Sequence, residues 1–169
     1  MNLDELHLRA LEPEDLAVLE QVENDTVYWN HSNQTEPFSL YTLKQYIKQQ
    51  SQDIFEVRQK RFVISDAQKS VLGFIDLFDF EPLHRRAGVG IFVLSSYRTK
   101  GVASKALLLL HDYIKKHLNL KNLYANITKE NSSSIKLFTA VGYTQIGVKK
   151  DWNFYQGSFH DELLFQKSF

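Results

Sequence analysis

Apolar residues recur along the chain with two different periods, and the changes of period divide it into elements. Leu16, Leu19 and Val22 lie three apart behind Pro13 and a run of acids, which predicts an amphipathic helix opening at a proline. His7, Leu8 and Arg9 before it read as a short strand. Ser39 is placed to cap a second helix over 40–50, with Leu40, Leu43, Tyr46 and Ile47 on one face. The stretch 24–38 between the two is polar and aromatic, with few helix signals. From residue 61 the period shortens to that of strands, over 61–65, 71–80 and 87–94. Turns at 66–70 and 81–86 fit an antiparallel meander. These strands are apolar on both alternations, so both faces of the sheet should be covered. A strong helix follows over 101–118, with Ala103, Ala106, Leu107, Leu110, Tyr113 and Ile114 at helical spacing. Next come a strand at 122–127 and a helix capped by Asn131 or Ser132 that stops at Gly142. Two closing strands join at Tyr155, Gln156 and Gly157. The order β-α-α-β-β-β-α-β-α-β-β predicts an α+β domain with a mixed sheet.

Composition narrows the field. The 169 residues suit one domain, 1–169. Cysteine is absent, which excludes disulfides, thiolate zinc sites and cysteine nucleophiles. No run of 18 apolar residues exists, so no membrane span is expected. The opening MNLDELHLRA has neither a basic nor an apolar signal region, which makes a cytoplasmic location the default. Twenty bases and twenty acids cancel, so no general attraction for nucleic acid or anionic lipid is expected. The charge is nevertheless uneven: residues 1–36 carry a net −8 and residues 98–150 a net +8. Either these are two solvated faces, or the later segment holds an anion and the earlier one admits a cation.

The segment 91–110 carries the chemistry. A buried strand runs into a loop holding Arg98, Lys100 and Gly101, and the loop runs directly into a helix that opens with the small residues Ala103 and Ser104. A helix N-terminus has unpartnered N–H groups and partial positive charge, so this loop reads as a site for a phosphate-sized anion. The alternative is an ordinary strand-to-helix turn with solvated bases. Gly88 and Gly90 in the preceding strand fit a bulge or the close approach of a ligand, or else a weak spot in the strand with no ligand.

Arg98-Thr99-Lys100-Gly101-Val102-Ala103 resembles the pyrophosphate loop of the GCN5-related N-acetyltransferases (GNAT), and the run from Asn131 to Tyr143 resembles that family's second signature. The likeness extends over nearly the whole chain. It is nearest to the branch of spermidine and diamine acetyltransferases and of enzymes that acetylate ribosomal-protein N-termini. It rests there on LHLRALEPEDL, Tyr28-Trp29, residues 61–64, residues 84–87 and the tail from Tyr155 to Phe165. The resemblance implies a single GNAT-like domain. Its sheet would be mostly antiparallel, of six to seven strands, with a splayed central pair and about four helices. It implies transfer of acetyl from acetyl-CoA, without a metal, to a primary amine. A small polyamine is the first expectation and a peptide N-terminus the second. A homodimer or larger homo-oligomer is also implied.

By carry-over, Ile91, Phe92 and Val93 would meet the pantetheine arm through backbone groups. Arg98, Thr99, Lys100, Gly101, Val102, Ala103 and Ser104 would hold the pyrophosphate, with Asn131, Lys136 and Phe138 completing the cosubstrate site. Asn131 reads equally well as only a helix cap. Many relatives use a tyrosine of the second signature as the general acid, and this chain has Phe138 there. The acid is therefore unassigned, with Ser132, Ser133, Ser134, Tyr97 and Tyr143 as substitutes. A CoA-binding module without turnover is the alternative of another class. Asp76, in line with Phe74 and Phe78, reads as a base or an ammonium anchor, or else as a structural ion pair with Arg61. Asp25, Tyr28, Trp29, His31 and Glu36 combine aromatic faces with acid character; the resemblance implies that they line an acceptor groove, suited to an alkylammonium, and the alternative is a hydrophobic lid with solvated acids.

Overall fold

Capping contacts set where the helices begin. The computed structural model describes residues 2–31 and 34–169, the side chains of residues 30 and 31 excepted. Arg9 grips the buried Asp15 with two N–H···O bonds of 2.8 Å, and Asp15 also accepts the Glu12 N–H, which fixes the start of α1 (Leu16–Glu23). Ser39 Oγ accepts the Thr42 N–H at 3.1 Å and opens α2 (Leu40–Gln49). A one-turn helix, α3 (Ile54–Val57), ends at Arg58 in the left-handed region. Gly101, at φ 80°, starts α4 (Val102–Tyr113). Asn131 Oδ1 accepts the Ser134 N–H at 3.1 Å and opens α5 (Ser132–Ala140).

The sequence differs from this at three places. The helix expected over 101–118 is α-helical only to Tyr113 and widens into a π turn at Ile114–Leu118. The stretch 24–38 contains a 3-10 turn, Thr26–His31. The short helix α3 has too few residues to show a period.

The strands are β1 (His7–Ala10), β2 (Lys60–Ser65), β3 (Val71–Glu81), β4 (Arg86–Val93), β5 (Asn122–Thr128), β6 (Thr144–Tyr155) and β7 (Ser158–Ser168). They form one seven-stranded sheet in the order β1-β2-β3-β4-β5-β7-β6. Every neighbouring pair is antiparallel except β4 and β5, which are parallel. The β6–β7 turn has Gln156 at φ 49° and Gly157 at φ 78°, the twist that a two-residue hairpin loop requires.

Apolar side chains cover both faces. On one, α4 and α5 pack over Ile64, Ile75, Leu77 and Val89, with Leu107 and Leu110 fully buried. On the other, α1 and α2 set Leu19, Leu43 and Ile47 against Val63 and Phe74. Burying one such leucine or isoleucine stabilises the fold by about 1.5–3 kcal/mol. No helix among the described residues is long and apolar enough to cross a membrane.

Candidate active site

Among the described residues the β4–β5 pair is the sheet's one parallel pairing and its shortest ladder. It is in register only from Arg86 opposite Asn122 to Gly88 opposite Tyr124. Beyond that point β4 continues to Val93 and β5 to Thr128 with no bond between them. The strands therefore part, and the gap is a cleft. Leu94 N–H bonds back to Leu72 of β3 at 2.9 Å. Backbone groups alternate along a strand, so those of Ile91 and Val93 turn away from β3 toward the gap. The Val93 carbonyl accepts Arg98 Nε–H at 2.9 Å.

Gly88 serves a different purpose from the one expected, while Gly90 lines the gap. The bulge beside them belongs to β3, where an extra residue between Phe78 and Glu81 puts Asp79 at φ 47°. Gly88 is small because the Phe78 ring lies over it: a Cβ there would sit 2.2 Å from the ring. Tyr124 stacks edge-on against that ring and donates its hydroxyl to Asp79 at 2.8 Å.

Two cavities meet in the gap. One, of about 690 Å³, lies between β4, β5 and the β6–β7 hairpin; Phe138, Trp152, Tyr155 and Glu162 line it. The other, of about 750 Å³, runs from the gap along residues 97–104 and the start of α5, and on to Glu23, Arg61 and Asp76. Trp29, Gln34, Gly90, Ile91, Asn131 and Ser134 line both, so the two form one continuous channel.

At one end of the channel stand the residues expected around an anion. Phe92, Val93, Arg98, Thr99, Gly101, Val102, Ala103 and Ser104 line it. No side chain caps the first turn of α4, so its N–H groups are open to a ligand. Lys100 folds back, its ammonium donating to Ser96 O at 2.8 Å, and does not line the channel. Lys136 is exposed on α5 and also lies outside it. Asn131 does act as the helix cap, its Oδ1 also accepting Ser133 Oγ–H at 2.9 Å, while its Nδ2 has no partner among the described residues.

At the other end is a charge cluster. Arg61 lies opposite Asp76 in the β2–β3 register and binds both its oxygens, at 2.7 and 2.8 Å. The same guanidinium reaches Glu23 at the end of α1. Burial works against the Arg61 charge, but Asp76 more than offsets it, and Arg61 is held well above its ordinary pKa. Tyr46, against the same guanidinium, is pushed up to about 12 by burial. Two carboxylates share one cation, so the cluster is net negative. Tyr28 and Trp29 line the channel beside it; Glu36 does not, and the His31 side chain lies outside the described residues. Glu23 escaped the sequence reading, although its place is legible: it follows Leu16 and Leu19 at seven and four residues, an acid on an apolar helical stripe.

Of the hydroxyls considered in place of a tyrosine at Phe138, Ser134 lines both cavities. Tyr143 lines neither. It is buried behind Phe138, with its hydroxyl 3.1 Å from His111 Nε2. Burial raises the Tyr143 pKa far above that of a free phenol.

A parallel pair that parts midway, with an uncapped helix start at one mouth of the gap and a carboxylate cluster at the other, is an arrangement suited to an anion at one end and a cation at the other. Residues 5–144 match the family model of the acetyltransferase (GNAT) domain, and the chain belongs to that family, the acetyl-CoA-dependent N-acetyltransferases. It is 28% identical over 160 residues to the spermidine N(1)-acetyltransferase of Vibrio cholerae, covering 93% of this chain and 89% of that one. It is 29% identical to the enzyme of the same name from Escherichia coli, covering 92% of this chain and 82% of the relative. The crystal structure of the Vibrio cholerae spermidine N-acetyltransferase with CoA and spermine superposes at a TM-score of 0.89 and 25% identity, over 98% of this chain and 96% of that one. A dodecameric structure of the Vibrio cholerae enzyme superposes at 0.80 and 26% identity, over 98% and 94%.

Proposed function

We propose that this enzyme transfers the acetyl group of acetyl-CoA to a primary amine of a small polyamine such as spermidine. The observation that carries this reading is the net-negative Glu23–Arg61–Asp76 cluster with Tyr28 and Trp29 at one end of the channel. Carboxylates and aromatic faces together attract an alkylammonium. The similarity to two spermidine acetyltransferases supports the same substrate class.

Acetyl-CoA supplies a thioester and a diphosphate. The open N–H groups of α4 and the basic loop suit the diphosphate. The Ile91 N–H, turned into the gap, is the donor we assign to the thioester carbonyl. The ammonium first gives one proton to solvent; the neutral amine nitrogen then bonds to the acetyl carbon as the C–S bond breaks, a second proton leaves nitrogen, and one proton is delivered to sulfur, for a net release of one proton. Both oxygens of Asp76 are engaged by Arg61, so its role is to anchor the ammonium rather than to carry the proton. Ser134 is the hydroxyl assigned to return a proton to sulfur. A thiol pKa of about 8.5 makes the thiolate a tolerable leaving group, so a weak donor suffices.

The β6–β7 hairpin bears exposed Ile146, Trp152, Phe154 and Phe159; Trp152 and Phe154 also line the first cavity, and Ile146 and Phe159 are apolar surface of the kind a second copy covers. We assign this surface to a homo-oligomer; light scattering on a Phe159→Lys variant tests it, with a fall in mass expected and an unchanged mass decisive against it.

Free thiol released from acetyl-CoA with spermidine, spermine and short peptides tests the reaction. Release with the polyamines is expected; release with peptides alone would replace the polyamine by a protein N-terminus.

A further inference from the structure

Arg98 opens the basic loop, yet its side chain reaches toward the acceptor side. Its Nε–H is fixed on the Val93 carbonyl at 2.9 Å. Its guanidinium carbon lies 5.2 Å from the centre of the Tyr28 ring and 5.6 Å from that of Phe92. Tyr28 in turn stacks edge-on against Phe92 at 4.8 Å. Tyr28 belongs to the 3-10 turn Thr26–His31, which borders the channel at the acceptor end; Phe92 belongs to β4. The loop and the turn, some 70 residues apart in sequence, thus meet through one guanidinium.

A guanidinium offers two separate surfaces. Its edges donate hydrogen bonds in the plane, and its faces stack on aromatic rings. Here the guanidinium lies over the Tyr28 ring, Nε is bonded, and no carboxylate among the described residues pairs with Arg98. The two Nη groups remain for an anion in the loop. An anion held on the edge fixes the plane against which Tyr28 packs. The ordering of the guanidinium is then shared by both ligands, which makes their binding cooperative.

Resting on the polyamine reading above, we infer that Arg98 is a positioning residue that couples the two substrates, so that a diphosphate-bearing cosubstrate in the loop sets the Tyr28 turn for the amine. Arg98 does this without touching the reacting atoms. By reciprocity, the amine must tighten the cosubstrate by the same factor as the cosubstrate tightens the amine. A tenfold factor lies in the ordinary range for coupled sites.

The test is calorimetry with CoA and spermidine, a pair that binds without turnover. In the unaltered enzyme, CoA is expected to bind about tenfold more tightly when spermidine is saturating, and spermidine about tenfold more tightly when CoA is saturating. Tyr28→Leu brings both factors to about one while CoA alone binds as before; Arg98→Gln does the same and also weakens CoA alone, because it removes Nη donors to the anion; Tyr28→Phe, which keeps the ring, keeps the coupling. Affinities in the unaltered enzyme that do not depend on the other ligand overturn the inference, as does coupling that persists in Tyr28→Leu. Binding of both ligands without coupling leaves the proposed function standing. No heat from CoA at all overturns that function and this inference with it.

Discussion

Arg61 and Asp76 face each other across β2 and β3 as register partners, with both Asp76 oxygens held by one guanidinium at 2.7 and 2.8 Å. Glu23 completes the cluster from α1. The carboxylates are therefore fixed in place, so an ammonium bound there, as proposed, would gain their charge without the cost of ordering them.

Asp76→Asn keeps the shape and removes the charge. Its expected effect is a fall of at least about tenfold in kcat/KM for spermidine, equivalent to roughly 1.4 kcal/mol, with the CoA dissociation constant unchanged. Glu23→Gln should act in the same direction. Steady-state kinetics and calorimetry on the same samples check both, and an unchanged rate in Asp76→Asn removes that residue from the reaction.

Phe138 and Ser134 share the first cavity, but only Ser134 carries a hydroxyl. Ser134→Ala should lower kcat by about tenfold or more, within the range usual for lost acid–base assistance. Tyr143→Phe should leave kcat unchanged, because that hydroxyl is buried against His111. Phe138→Tyr adds a hydroxyl to a ring already lining the cavity and should raise the kcat of Ser134→Ala. Equal loss from Tyr143→Phe and Ser134→Ala would show that neither is the donor.

The Phe78 ring over Gly88 makes a separate prediction about the fold. Gly88→Ala places a methyl 2.2 Å from the ring, so the ring must move, at a cost of about 1–3 kcal/mol. Phe78→Leu in the same chain should recover part of that loss. Urea unfolding of the two single variants and the double variant closes the cycle, and additive losses would mean that the glycine is small for another reason.

Residues 61–110 made their own structure plain, because period, turn residues and capping there all depend on neighbours in sequence. Gly101 at the start of α4 and Asn131 at the start of α5 are local chemistry of this kind. The parting of β4 from β5 was legible only through the family resemblance, since it depends on which strands are neighbours. The closing hairpin enters the sheet with β7, not β6, beside β5, and no local pattern dictates that. The same limit hid the cluster: Glu23 meets Arg61 across 38 residues of sequence. Lys100 and Lys136 illustrate the reverse case. Both belong to motifs that mark an anion site, yet a long flexible stem lets one fold back onto Ser96 and the other point into solvent.

His111 gives the fold a pH dependence of definite sign. It is buried on α4 with Nε2 3.1 Å from the Tyr143 hydroxyl, and burial, reinforced by Lys167 and Lys115, lowers its pKa to about 4. In the unfolded chain the imidazole titrates near 6.5. Above that value it is neutral in both states, and its contribution to stability is complete. As pH falls through 6.5 toward 4, the unfolded chain takes up a proton that the folded chain refuses, and stability is lost over that window. Asp161, held down to about 2 by Lys150, the Asp151 N–H and Lys129, and Asp15, where the effect of burial is outweighed by Arg9, lose their contributions through the carboxylate range, which begins at about pH 5, so the step from pH 7.5 to 6.0 is the one that His111 governs. Thermal unfolding at pH 7.5, 6.0 and 4.5 should therefore show a falling Tm. His111→Gln keeps a hydrogen-bonding group beside Tyr143 but cannot titrate, and its Tm should fall less steeply across the same range. Parallel curves for the two proteins would assign the pH dependence to other groups.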